Sequence, residues 1–121
     1  MILADTSVWI DHFRNHSPAL EAALGQGIVV VHPAVLGELA CGNFTRRGHV
    51  LELLAALPRP KTASDRECLT LIDAHKLWGL GIGWIDAQLV ASSLLTPCRL
   101  WTLDKRLRLA ASKSGAAVYH P

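Results

Sequence analysis

Four short runs, at residues 2–4, 28–31, 99–102 and 117–119, are the segments of this chain that read as strands. The stretches between them follow the 3.6-residue period of helices. Residues 28–31 are four consecutive β-branched side chains bounded by Gly27 and Pro33, too short for a helix. Short apolar strands alternating with helices predict an α/β fold: a short, mostly parallel sheet flanked by helices on both faces. The predicted order is β-α-α-β-α-α-α-α-β-α-β, and its 121 residues fit one domain, 1–121.

Local signals place the helices. The first runs over residues 7–15, after the capping oxygens of Asp5, Thr6 and Ser7. Ser17 before Pro18 opens a second, which stops at Gly25. Pro33 starts a third through about Cys41, carrying Glu38, and a fourth covers residues 49–57, closed by Pro58 and Pro60. Ser64 and Glu67 have capping-box spacing for a helix toward Trp78. Gly79, Gly81 and Gly83 read as a connection, residues 84–95 as a helix ended by Pro97, and 105–114 as the last helix, capped by Gly115.

Composition narrows the class. With 50% hydrophobic and 18% charged residues, the chain is too apolar to be disordered. No apolar run of membrane-spanning length escapes interruption by an acid, and the opening residues lack a basic, apolar leader, so the expectation is a cytoplasmic protein with no membrane partner. Cys41, Cys68 and Cys98 form no C-x-x-C pair and are expected as buried free thiols. Net charge is +2, but residues 99–121 hold five basic residues against one acid. That end reads equally as a solvated helix face or as a surface to which phosphate would be drawn.

The acids carry the chemistry. Asp5 and Asp104 each follow a strand directly, at the carboxyl edge where sites of parallel sheets lie, and Glu38 and Asp86 sit on helices that could lean over the same edge. Each also has an ordinary reading: Asp5 and Asp104 as helix caps, Asp86 as a first-turn acid, Glu38 as a solvated position. Ser7 would make a cap by Asp5 redundant. Clustered carboxylates without bases repel one another, and a divalent cation removes that penalty. All-oxygen ligands favour Mg²⁺ or Mn²⁺, whose natural use is phosphate chemistry.

These motifs, Asp5-Thr6-Ser7-Val8-Trp9-Ile10-Asp11, Gly37-Glu38-Leu39, Trp84-Ile85-Asp86-Ala87 and Leu100-Trp101-Thr102-Leu103-Asp104, resemble PIN-domain ribonucleases of the VapC toxin type over nearly the whole chain. The resemblance implies a PIN-like α/β/α sandwich and a Mg²⁺- or Mn²⁺-dependent endoribonuclease cutting structured RNA, a tRNA or rRNA, to a 5′-phosphate and a 3′-hydroxyl. It makes Asp5, Glu38, Asp86 and Asp104 the catalytic quartet, with Asp5, Asp86 and Asp104 on the metal. Thr6, Ser7 and Thr102 become hydroxyls that support the acids. It further implies a homodimer with a basic groove for RNA and a cognate VapB-type antitoxin that blocks the site. Arg46, Arg47, Lys105 and Arg106 are the expected phosphate contacts. Leu107 departs from the aromatic residue many relatives carry, which bears on packing rather than catalysis.

Other readings fit less well. A haloacid-dehalogenase-like phosphatase needs a second Asp where Ser7 stands, and a response-regulator receiver needs an early acid pair and a late Lys that are missing. His12 and His16 have helical zinc-pair spacing but no His-Glu-x-x-His acid, and read as surface histidines. Trp9, Trp78, Trp84 and Trp101 could stack bases, although Trp9 and Trp101 adjoin strands and suit the core. The alternative from another class is a non-catalytic PIN-like module binding RNA or protein.

Overall fold

In the computed structural model, which describes residues 1–121, the first strand β1 (Ile2–Ala4) is fully buried and forms the centre of the sheet. The elements that follow are α1 (Thr6–Asn15), α2 (Pro18–Gly25), β2 (Val29–Val30), α3 (Pro33–Ala40), α4 (Arg47–Ala55), α5 (Asp65–His75), α6 (Trp84–Leu95), β3 (Arg99–Trp101) and α7 (Lys105–Lys113). The sheet order is β2-β1-β3, all parallel, with Leu3 opposite Val30 on one side and Leu100 on the other. Helix α1 packs on β1 and α3, and α3 on α4; α6 packs on β3, α5 and α7. The result is the expected α/β/α arrangement of a short parallel sheet between helices.

Three strands are shorter than the sequence suggests, and β3 loses its last expected residue, Thr102, whose hydroxyl turns to the acids. The expected strand at residues 28–31 narrows to β2 because the Val31 amide turns away from β1 and donates to the Pro58 carbonyl at 2.9 Å. The run at 117–119 makes a single bridge, Val118 to Leu100, held by two hydrogen bonds of 2.9 Å. Its Tyr119 ring meets Trp101 edge-on and lies under the Arg99 guanidinium, so this end is fastened by side chains more than by a ladder.

Helix ends largely follow their signals. Ser17 caps α2 and the Ser64–Glu67 capping box is complete. Helix α4 starts earlier than residue 49, with Arg46 in a left-handed conformation (φ 55°) before it. Helix α5 stops at His75 because Lys76 turns left-handed (φ 54°), short of Trp78. Cys41 is exposed, since it lies just past the last inward turn of α3, whereas Cys68 and Cys98 are buried free thiols. Leu107 is fully buried, so an aliphatic side chain fills this core position. Trp9 and Trp101 are core residues; Trp78 and Trp84 are exposed. No helix is long and apolar enough to cross a membrane.

Candidate active site

The parallel sheet ends with its carboxyl edge facing the first turns of helices, and there the sequence places its acids. The Asp5 amide continues the ladder past Ala4 by donating to the Trp101 carbonyl at 2.9 Å, which locks its position against β3. Asp5 is only 5% exposed. Its Oδ1 accepts from the Val8 amide at 3.1 Å and the Ser7 hydroxyl at 2.5 Å, and its Oδ2 accepts from the Thr102 hydroxyl. Asp5 is therefore itself the cap of α1, and Ser7 does not replace it. Ser7 is a bridge: its Oγ accepts from the Leu103 amide at 3.1 Å, tying the turn after β3 to the turn after β1.

Thr102 plays the matching part on the other strand. Its Oγ1 donates to Asp5 and accepts from the Asp104 amide at 3.0 Å, so one hydroxyl sets the spacing between two acids. Asp104 caps α7 by accepting from the Arg106 amide at 2.9 Å, and Asp86 reaches back to the Gly83 amide at 3.1 Å at the start of α6. The ordinary reading of these acids holds: three aspartates sit at three helix N-termini, whose partial positive charge favours carboxylates. Glu38, on α3, is exposed and accepts from the Thr6 hydroxyl at 2.7 Å, so Thr6 holds Glu38 and not its neighbour Asp5.

The acids influence one another electrostatically. Burial raises the Asp5 carboxyl above the usual aspartate range, against the pull of hydrogen bonds from Ser7, Thr102 and Val8. Asp86 is also raised, first by burial and further by the charges of Asp104 and Asp5, against the Gly83 amide. No three of these or any other acids, histidines and cysteines stand close enough to hold an ion between them as they are. Each of the three aspartates is turned toward a backbone amide at the start of its helix.

Donor chemistry nevertheless suits a hard cation: every oxygen is a carboxylate oxygen, and Asp86 Oδ1, Asp104 Oδ2 and Glu38 Oε2 have no hydrogen-bond partner. A raised folded-state pKa means stability that is fully present below the usual aspartate range and is lost as pH rises through the raised values. At neutral pH without metal, Asp5 and Asp86 therefore weaken the fold. Asp86→Asn, which keeps an oxygen for Gly83, is expected to raise the thermal midpoint in EDTA at pH 7 and to lose that advantage at pH 4; an unchanged midpoint at pH 7 would show the charge carries no penalty.

The four expected phosphate contacts are not alike. Arg46 and Lys105 are exposed with no carboxylate partner. The Arg47 guanidinium is spent on the carbonyls of Ala40 and Gly42, where it satisfies the open end of α3. Arg106 is exposed and lies against Gly81, where a Cβ would stand 2.7 Å from its Cδ; Gly81 also has a φ of 81°. The glycine connection thus makes room for this side chain. His12 accepts from the Ser17 amide at 3.0 Å and His16 pairs with Glu21 at 2.7 Å, so both are committed to the α1–α2 junction.

Two supporting residues escaped the sequence reading. His32 caps α3 through Nδ1, which accepts from the Ala34 amide at 2.9 Å, and burial pushes its pKa down, keeping it neutral for that task. Pro33 at the first helical position was the available signal, since it marks the residue before it as the cap. Arg108 donates to the Thr102 carbonyl at 3.1 Å and braces the turn that carries Asp104; its spacing of six residues gave no warning.

Known proteins bear on this arrangement. The profile of the PIN domain family matches residues 2–113. Ribonuclease VapC32 of Mycobacterium tuberculosis, in strains CDC 1551 / Oshkosh and ATCC 25618 / H37Rv, is 44% identical over 119 residues, covering 98% of this chain and 96% of the relative. An alignment of that extent spans all four acids and every element of the fold, and the chain belongs to the PIN-domain family, in its VapC-type branch.

Proposed function

We propose that this chain is an endoribonuclease toxin that hydrolyses a phosphodiester of structured RNA, a tRNA or rRNA, with Mg²⁺ or Mn²⁺ as its cofactor. The observation that carries the reading is the placement of Asp5, Asp86 and Asp104 at three helix N-termini along one sheet edge, with Asp5 and Asp104 joined through the Thr102 hydroxyl. Asp5, Asp86 and Asp104 are the residues that would hold the cation. When bound, a divalent ion offsets charge on the phosphoryl oxygens and makes water a better nucleophile.

The chain's own groups supply the rest. Thr102 and Ser7 fix Asp5 from both oxygens, so its carboxylate enters the reaction already oriented. Thr6 occupies one Glu38 oxygen, which leaves Oε2 to take the proton of the attacking water. Water oxygen bonds to phosphorus as the P–O3′ bond breaks, and the 3′ oxygen takes a proton from solvent water, leaving a 5′-phosphate and a 3′-hydroxyl, while Glu38 returns its proton to solvent. Arg46, Lys105 and Arg106 are cations free of intramolecular ion pairs and suit the RNA backbone; Arg47 is the weakest member of the set because its fork is occupied. The relative's name, Ribonuclease VapC32, supports the activity. A VapB-type antitoxin, a homodimer and a cytoplasmic setting complete the proposal.

The alternative is a non-catalytic module that binds RNA or protein. End-labelled RNA digested with and without EDTA separates the two. Cleavage that requires Mg²⁺ or Mn²⁺, disappears in EDTA and leaves 5′-phosphate ends is expected. No cleavage with either metal supports the binding module, and metal-independent cleavage leaving a cyclic phosphate defeats the proposed chemistry.

A further inference from the structure

Beside the acid edge, between the end of α1 and the segment joining α3 to α4, lies a pocket of about 320 Å³ that shares Glu38 with the candidate site. Its apolar wall is formed by Phe13, Leu39 and Phe44, the two rings stacked at 4.5 Å and 17°. Arg14 and Asn43 stand at its exposed rim, and neither side chain has an ion pair or hydrogen bond within the chain. An aromatic wall with unspent planar donors is what a nucleobase needs: stacking for its face and hydrogen bonds for its edge.

We propose that this pocket binds a base splayed out from single-stranded RNA next to the phosphate at the acids, and that Arg14 makes guanine the preferred base. The assignment rests on the ribonuclease reading, since a base enters here only if its phosphate lies by Glu38. Phe44, fixed against Phe13, offers a rigid surface that loses little entropy on stacking. The Arg14 fork matches the O6 and N7 acceptors of guanine in a pair of parallel hydrogen bonds, and adenine replaces one acceptor with a donor. Asn43, with both donor and acceptor, can follow the same edge. The occupant is a nucleotide and not a protein segment because the unpaired polar groups of Arg14 and Asn43 flank the stacked rings and Glu38 of the candidate site lines the same pocket.

The test needs neither metal nor turnover. Amide chemical shifts of the isotopically labelled full chain are followed in EDTA while GMP, AMP, CMP, UMP or ribose 5-phosphate is added. GMP is expected to give saturable shifts at Phe44, Asn43 and Arg14, with the other three nucleotides roughly tenfold weaker or more. Arg14→Lys, on an exposed position, is expected to keep the fold and the charge but to erase the preference for GMP. Phe44→Leu is expected to weaken all four nucleotides together. Equal shifts from ribose 5-phosphate, equal binding of the four nucleotides, an unaltered preference in Arg14→Lys, or no saturable shift at this pocket each overturn the proposal. Because no cleavage is read, loss of the nuclease reading would register separately, in the EDTA digestion.

Discussion

Asp5→Asn is expected to lower RNA cleavage by more than about 100-fold while the chain stays folded, because this residue links both site strands and is, in the proposed function, the most buried of the residues that would hold the cation. Two stability effects oppose each other. The amide loses the charge that burial penalises, yet its NH₂ faces the Thr102 hydroxyl, whose proton then has no acceptor there. Their difference falls within about 1 kcal/mol, so thermal midpoint and circular dichroism should stay near the parent's while kcat/KM collapses. Cleavage undiminished in a folded Asp5→Asn protein would remove Asp5 from the reaction. A variant that unfolds instead would show that the three hydrogen bonds to Asp5 outweigh the relief of its charge.

Leu100→Ala should be the most damaging single change to the fold that leaves every acid in place. Leu100 is fully buried in β3, opposite Leu3 of the central strand and bridged to Val118. The sheet has only three strands, and Leu100 belongs to the one core that the sheet shares with its helices. A loss of about 2–5 kcal/mol follows from removing such a leucine, a fall of ~10 °C or more in thermal midpoint for a domain of this size. Urea unfolding followed by circular dichroism measures it, and a loss below about 1 kcal/mol would mean the core refills the space. At temperatures where the variant remains folded, cleavage should survive in part, because Thr102 and Asp104 are still anchored by Asp5, Ser7 and Arg108.

The contrast between these two variants shows how site and fold are coupled. The hydroxyls of Ser7 and Thr102 each join two segments nearly a hundred residues apart, Ser7 to Leu103 and Thr102 to Asp5. A single hydrogen bond contributes only about 1 kcal/mol, so neither hydroxyl decides whether the chain folds. Together they decide where the Asp5 and Asp104 carboxylates point.

Much of the architecture was legible because its signals are local. Ser17-Pro18, the Ser64–Glu67 box and the periodicity of residues 84–95 each specify an element from its own atoms, and those three helices begin where stated, with only the second ending early, at His75. Strand lengths were less legible, because pairing depends on a partner elsewhere: the Val31 amide is diverted by Pro58 and the segment at 117–119 has one neighbour only. The roles of Thr6 and Ser7 also lay beyond local pattern. Two adjacent hydroxyls point to different acids, Glu38 and Asp5, since successive helix positions face about 100° apart.

By itself, the sequence determined the alternation of strands and helices and the carboxyl-edge positions of Asp5 and Asp104. Each of these follows from residues near one another along the chain, where propensity, capping and periodicity act. Only the tertiary structure decided that Asp5 caps a helix while bonded to Thr102, that Arg47 serves α3 while Arg106 stays free over Gly81, and that Phe44 meets Phe13 beside Glu38. Those are contacts between distant segments, and their partners are chosen by packing, to which no run of neighbouring residues gives access.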